Sequence, residues 1–186
     1  DGVYRNSEVW INGHSLGFRP NGYVSFRYDL TPYLRYGSQP NVIVVKADNS
    51  EQPNSRWYSG SGIYRNVWLV KVNPVHVDNW GTFVHDMRIS PEEATFSLEV
   101  RIRNSSEADR DAEISTSIYD DRNRVVTAPV TTLLRVPYTP CYDARMREAS
   151  VDHQFSIPNP KLWSPDSPSL YTAVTEVKLA GTVVDR

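Results

Sequence analysis

The sequence lacks several features that define well-known functional classes. It contains one cysteine in 186 residues, so an intrachain disulfide is excluded, and Cys141 is expected to be a buried free thiol rather than a nucleophile. No apolar run approaches the length of a membrane span, and the net charge of −2 provides no basic surface. We therefore expect neither a membrane nor a nucleic acid as partner.

Histidines are also few, and no two His or Cys residues are closely spaced on one predicted element. A metal site needs closely spaced His or Cys ligands, and a serine triad needs a nucleophile elbow, so neither is predicted. The Gly60-Ser61-Gly62 stretch lacks the Lys-Ser/Thr of a phosphate loop and precedes a strand-like sequence, which excludes a nucleotide site. No cofactor is expected. The four histidines are His14, His76, His85 and His153.

Short strand-like segments fill the first part of the chain. "SEVWINGHSLG" predicts a hairpin that turns at Asn12-Gly13, and "GYVSFRYDL" predicts an alternating strand. Thr31 as cap, Pro32 at the first helical position and Gly37 at the end predict one helical turn. "NVIVVKADN" is expected to be a strand covered on both faces, and "GIYRNVWLVKV" a strand that follows a glycine bend.

After a boundary at residues 71–74, strand candidates alternate with short polar turns. This spacing predicts an immunoglobulin-like β-sandwich, and the absence of helical periodicity predicts an all-β chain. We expect two domains, residues 1–73 and 74–186. The strand candidates are "TFVHDMRI", "ATFSLEVRIRN", "DAEISTSIYD", "RVVTAPV", "DHQFSI" and "SLYTAVTEVKL", with "SPEE", "NSSEADR" and "DDRN" as connections.

Three stretches together carry a family resemblance that covers nearly the whole chain. They are "WINGHSLGFRPNGYVSFRYDLTPYL", "DNSEQPNSRWYSGSGIYRNVWL" and "NPKLWSPDSPSLYTAVTEV". In this order they resemble the non-catalytic part of glycoside hydrolase family 2. The resemblance implies a jelly-roll sugar-binding domain, an immunoglobulin-like domain and then a catalytic TIM barrel. Here the jelly roll would lack its first strands and the barrel would be missing, so a fragment is expected.

The loop at residues 58–65, "YSGSGIYR", favours a β-galactosidase as the parent enzyme. Family 2 β-mannosidases show a Trp-Asp-Trp-Gly run near this loop, and β-glucuronidases a Tyr-Ala-Gly-Ile-His pattern. The resemblance implies retaining hydrolysis of terminal β-galactosides with two carboxyl groups in the barrel. The family's catalytic Asn-Glu dipeptide does not occur here. We therefore assign no catalytic residue and expect the chain alone to be inactive.

The stretch "PNSRWYSGSG" supplies the candidate sugar-binding residues Asn54, Arg56, Trp57 and Tyr58. Aromatic rings pack against the C–H face of a sugar, and planar polar groups pair with its hydroxyls. In the resembled enzymes an aspartate of this loop contacts the sugar, and no aspartate stands in "NSRW". The alternative is structural: the two aromatic residues close the end of a sandwich or face the missing barrel.

Three further residues are assigned structural roles. Arg65 is expected to pair with a carboxylate such as Asp48, and Trp163 to pack within its loop. Asn104-Ser105-Ser106 is a glycosylation sequon that hints at a surface loop.

Two other functions remain open: an autonomous carbohydrate-binding module, and a structural spacer. Expected partners are a β-galactoside, the catalytic barrel of the same chain, and a second copy through open sheet edges. Similar polysaccharide-degrading enzymes suggest a periplasmic or extracellular location, which the sequence itself leaves undetermined.

Overall fold

A computed structural model describes residues 1–51, 55–138 and 149–186. The described residues form twelve β-strands and one short 3-10 helix, which confirms the all-β fold class. The chain divides into two compact units, Asp1–Val70 and Lys71–Arg186, called here the first and second unit. Cys141 lies outside the described residues, so its predicted burial is not addressed.

The first unit contains two small antiparallel sheets. One sheet has the strand order β3-β2-β4, and the other pairs β1 with β5. The predicted hairpin is confirmed, because Asn12 and Gly13 both adopt positive φ between β2 and β3. The elements are β1 Val3–Tyr4, β2 Ser7–Ile11, β3 His14–Arg19, the 3-10 helix Thr31–Tyr33, β4 Ile43–Lys46 and β5 Gly62–Ile63.

The strand predicted for "GYVSFRYDL" is wrong, since no ladder forms there. Side chains satisfy its backbone carbonyls instead: the Tyr64 hydroxyl donates to the Gly22 carbonyl at 2.8 Å, and Arg65 Nη1 donates to the Tyr23 carbonyl at 3.2 Å. These bonds replace the neighbouring strand that a ladder would need.

The helical turn with Pro32 is confirmed, but its predicted ends are wrong. Thr31 is the first residue of the turn rather than its cap, and the N-cap residue Leu30 makes no side-chain capping hydrogen bond. Asp29 Oδ1 instead accepts the backbone N–H of Thr31 at 2.9 Å. The turn ends at Tyr33, before Gly37 is reached.

Two predicted apolar strands of the first unit are more exposed than their sequences suggest. The strand β4 forms at an edge of its sheet, but Ile43 and Val44, which point to opposite faces, are both half exposed. The prediction that both faces are covered is therefore wrong for the described unit. Of "GIYRNVWLVKV", only Gly62–Ile63 is a strand, so most of that prediction is wrong. The next four apolar side chains, called here the exposed apolar segment, all face solvent: Val67, Trp68, Leu69 and Val70.

The second unit is a sandwich of two antiparallel sheets. One has the strand order β10-β7-β6 and the other β12-β11-β8-β9. Their facing side chains form one apolar cluster that includes Leu98, Ile114 and Val177, all fully buried. The strands are β6 Val75–Ile89, β7 Glu93–Asn104, β8 Arg110–Tyr119, β9 Val130–Val136, β10 Ala149–Pro158, β11 Thr172–Leu179 and β12 Thr182–Asp185.

Five of the six strand candidates of this half coincide with observed strands. The exception is "RVVTAPV", in which Val125 forms only an isolated bridge to Tyr119. The ladder with β8 starts at Val130, beyond Pro129, which has no backbone N–H to donate. The sequence analysis missed β12, which returns from β11 through a turn with positive φ at Ala180 and Gly181.

The glycosylation sequon is a structural feature rather than a surface site. Asn104 is fully buried, and its Nδ2 donates to the carbonyls of Ala108 and Val136 at 2.8 and 3.0 Å. Its Oδ1 accepts the backbone N–H and the hydroxyl of Ser106 at 2.9 and 2.6 Å. The side-chain amide is therefore occupied on both sides, and the surface-loop interpretation is wrong for Asn104 itself.

Candidate functional site

An open groove lined by four tyrosines lies in the first unit. It encloses about 250 Å³. Aromatic rings around a cleft with a few hydroxyl groups are the composition expected of a site that binds a partly apolar, partly polar ligand. The lining residues are Tyr4, Tyr23, Tyr58, Ser59, Gly60, Ser61, Gly62 and Tyr64.

Backbone pairing brings the walls of the groove together. Tyr4 on β1 lies opposite Gly62 on β5, which places the 58–62 loop beside the Tyr4 ring. Tyr23 packs edge-on against Tyr4, with ring centroids 5.4 Å apart. The Tyr64 backbone N–H donates to the Gly2 carbonyl at 3.2 Å, which closes this end of the pair of strands.

Two glycines allow the tyrosine rings to lie directly on the backbone. A Cβ on Gly2 would come within 2.7 Å of Cζ of Tyr64, and one on Gly22 would clash with the Tyr4 ring. Real Cβ contacts are not this short, so any side chain at either position would displace a ring. The two ring orientations are therefore fixed by local packing rather than by a ligand.

Of the three predicted sugar-binding residues that the structure describes, Arg56, Trp57 and Tyr58, only Tyr58 lines the groove. Tyr58 is 92% exposed and Trp57 is 68% exposed, so neither ring is packed within the first unit. Ser55 holds the loop by donating its hydroxyl to the Trp57 carbonyl at 2.8 Å. Arg56 is exposed, and Asn54 lies outside the described residues. The sequence analysis missed Tyr4, Tyr23 and Tyr64 as groove residues.

The predicted pair between Arg65 and Asp48 does not form. Asp48 accepts the hydroxyl and the backbone N–H of Ser50 at 2.7 and 3.1 Å, and these hydrogen bonds lower the pKa of its carboxyl. Arg65 instead lies over the Tyr64 ring, 5.2 Å from the centroid. Arg65 therefore supports a wall of the groove rather than a carboxylate.

Trp163, predicted to pack within its loop, is more than half exposed. Its neighbours Ser164 and Ser167 form an isolated bridge, so backbone hydrogen bonds shape this loop. Backbone hydrogen bonds between the two serines therefore set the shape of the loop, and the indole of Trp163 faces solvent.

Three carboxylates in turns and loops are paired with basic side chains. Arg5 pairs with Glu51 at 3.1 Å, Arg124 with Asp120 at 2.7 Å, and Lys161 with Asp121 at 3.2 Å. Within residues 1–51, 55–138 and 149–186, no group of three or more His, Cys, Asp or Glu side chains could hold a metal ion. No helix in the same ranges is long and apolar enough to cross a membrane.

The two units define an all-β chain that combines a tyrosine-lined groove with a β-sandwich. The sequence profile described as "Glycosyl hydrolases family 2, sugar binding domain" matches residues 1–73. The profile described as "Glycosyl hydrolases family 2" matches residues 82–186, more than half of the chain. The chain therefore belongs to glycosyl hydrolase family 2.

This chain spans about a fifth to a quarter of the length of the relatives and solved structures described next. A β-galactosidase of Bacteroides ovatus is 44% identical over 100% of this chain and 21% of its own length. A β-glucuronidase of Formosa agariphila is 30% identical over 100% of this chain and 20% of its own length. The crystal structure of a family 2 member from Bacteroides cellulosilyticus superposes with a TM-score of 0.89 at 32% identity, over 100% of this chain and 24% of that one.

Proposed function

We propose that this chain is the non-catalytic β part of a retaining β-galactosidase, in which it supports the catalytic TIM barrel and helps to shape the sugar pocket. The observation that carries the proposal is the exposed apolar segment, in a chain that spans about a fifth of the relatives it matches. Exposed contiguous apolar side chains are typical of surfaces that another domain covers. On this proposal the first unit contains the later strands of a jelly roll.

The β-galactoside specificity is favoured over β-glucuronide by the higher identity to the β-galactosidase, 44% against 36% for a "Putative beta-glucuronidase" and 30% for a β-glucuronidase, both of Formosa agariphila. Two chimeras test it. In the first, residues 1–186 replace the matching segment of the Bacteroides ovatus β-galactosidase. In the second, they replace the matching segment of the Formosa agariphila β-glucuronidase. We expect activity on an aryl β-galactoside in the first chimera and poor activity on an aryl β-glucuronide in the second. The reverse result would overturn the β-galactosidase assignment. The 186-residue chain alone should hydrolyse neither substrate.

The docking role is tested in the first chimera by two matched substitutions. Leu69 in the exposed apolar segment is 81% exposed, and Leu133 on β9 is 80% exposed. Leu69→Lys should lower kcat/KM by at least tenfold, because a lysine charge would have to be buried against the catalytic domain. Leu133→Lys should change it less than twofold. Equal effects of the two substitutions would contradict docking through this segment.

The tyrosine groove favours a second candidate, a carbohydrate-binding module that acts without a barrel. Its test is an NMR titration of this chain with a β-galactoside, followed on the indole signal of Trp57 next to the groove. Saturable shifts that Tyr58→Ala abolishes would support the module. The absence of any shift at high millimolar sugar would reject the binding module and leave support of the barrel as the remaining function.

A further inference from the structure

A buried polar cluster crosses the sandwich of the second unit. His153 on β10 belongs to one sheet, and its ring is fully buried. Its Nδ1 lies 3.0 Å from Oγ1 of Thr116 on β8, and its Nε2 lies 3.2 Å from Oγ1 of Thr132 on β9. Oγ1 of Thr116 in turn lies 2.8 Å from Oγ1 of Thr175 on β11. One imidazole thus connects one sheet to three adjacent strands of the other.

Every hydrogen bond of the cluster can form when the imidazole is neutral. A neutral ring donates from one nitrogen and accepts at the other, and each threonine hydroxyl can both donate and accept. The chain Thr132, His153, Thr116 and Thr175 therefore satisfies every polar atom of the ring. Its surroundings are otherwise apolar: Leu98 is the ladder partner of His153, and the Phe155 ring centroid lies 6.5 Å away.

A proton added to this ring would have no free buried carboxylate to balance it, because buried Asp120, just after β8, is already paired with Arg124 at 2.7 Å. Side chains alternate between the faces of a strand, and the charged ones on the described neighbouring strands fall on the outer faces. They are Glu93, Glu99, Arg101 and Arg103 on β7, Asp111 and Glu113 on β8, Arg135 on β9, and Glu176 and Lys178 on β11. The exception is Arg110, which has the inward parity but is exposed as the first residue of β8.

On β10 itself, Asp152 is adjacent to His153 but points outward and is exposed. Its charge favours the imidazolium, yet burial of the ring outweighs it, and the pKa of His153 is lowered. The hydrogen bonds could survive protonation, because both threonines can accept. The cost of acid therefore comes from burying a charge, not from losing partners.

We propose that His153 and the hydroxyls of Thr116, Thr132 and Thr175 form an acid-sensitive clamp between the two sheets, which protonation of the ring opens. The unfolded chain, with an ordinary histidine pKa of about 6.5, binds the proton before the folded unit does. Stability from the clamp is thus fully present above about pH 6.5 and falls as the pH decreases below it. The second unit is therefore destabilised under mild acid, by at most tenfold in its folding constant per pH unit, while its carboxylates are still ionised.

Urea unfolding of the 186-residue chain between pH 8 and pH 5, with hydrogen exchange at β8 and β10 as the readout, tests the clamp. The folding constant of the second unit should fall with a slope that approaches tenfold per pH unit below about pH 6.5. His153→Gln, which keeps a donor and an acceptor, should remove that slope. His85→Gln is the matched control, because His85 is exposed on β6 of the same unit, and it should keep the slope.

A slope that persists in His153→Gln would overturn the proposal. If that variant fails to fold, the imidazole signals of the unsubstituted chain decide the question. The His153 ring should stay neutral in the folded unit down to the pH at which the unit opens. A His153 signal that titrates near pH 6.5 while β8 and β10 remain protected would equally overturn the clamp.

Discussion

Replacing Asn104 by alanine tests how strongly a buried side-chain amide holds the end of β7. The change deletes two hydrogen bonds donated to the carbonyls of Ala108 and Val136 and two accepted from Ser106. Each contributes about 1 kcal/mol net, so the loss is about 4 kcal/mol, or about a thousandfold in the folding constant. This is a large part of the 5–15 kcal/mol that stabilises a typical domain, about the range expected here.

Urea denaturation at pH 7 measures this loss, and two serines of the same loop calibrate it. Ser106→Ala removes the 2.6 Å bond to Asn104 and two exposed contacts, with the Ala108 carbonyl at 3.0 Å and Arg110 Nε at 3.3 Å. It keeps both amide donors of Asn104, so it should cost about 1–2 kcal/mol. Ser105→Ala removes one exposed bond to the Pro74 carbonyl and should stay within about 0.5 kcal/mol. A loss below about 1 kcal/mol for Asn104→Ala, or one no larger than for Ser105→Ala, would refute the hydrogen-bond accounting.

Two further predictions concern turns and bulges of the second unit. Hydrogen bonds from Arg124 lower the pKa of Asp120 from 3.8 to about 2. The ionised Asp120 therefore stabilises the folded unit fully above about pH 4, and this stabilisation is lost as the pH falls through 2. The advantage in stability over an Asp120→Asn variant should disappear over the same range. Acid titration of both proteins by circular dichroism checks this. The register between β6 and β7 shifts between Val77 and Thr82, where Gly81 lies. Gly81→Ala should destabilise this bulge and lower the Tm in thermal unfolding, because a Cβ would lie 2.6 Å from the Asp78 carbonyl and 2.9 Å from that of Arg101.

Three strands of the second unit, β7, β8 and β10, were predictable because each buries one face. In β10, inward residues such as Val151 and Phe155 alternate with outward ones such as Asp152 and Gln154. The same alternation in the sequence therefore reports the fold directly. The β12 hairpin escaped prediction because its turn, Ala180-Gly181, needs positive φ at an alanine, a residue that rarely signals such a turn.

The first unit was less predictable, because its sequence has the apolar pattern of buried strands although many of those apolar side chains are exposed in the described unit. Alternation in "GYVSFRYDL" has the period of a strand, but side chains of Tyr64 and Arg65 take the carbonyls of Gly22 and Tyr23. Periodicity predicts which side chains share a face, not which backbone will pair. The prediction failed at that step.

The groove was only partly predictable, since its walls come from distant parts of the chain. Tyr58 belongs to a loop that is conspicuous in sequence, whereas Tyr4 and Tyr23 are 54 and 35 residues away from it. No local spacing connects them. The one available signal was glycine next to the packed rings, at Gly2 and Gly22, and its meaning depends on contacts that only the structure contains.

The two units differ in how completely they bury their own apolar residues, and this bears on both proposals. Among the described residues, the first unit buries the apolar side chains Val3, Val9 and Ile11, whereas the second buries a cluster that spans both its sheets. Apolar burial stabilises by about 25 cal/mol per Å², so exposed Trp68 and Leu69 represent stabilisation that a covering domain would supply. The second unit has its own core, and its stability therefore depends on internal groups such as His153. Acid should act on the second unit through the clamp, and substitution of the exposed apolar segment should act through docking, so the two experiments report on separate properties.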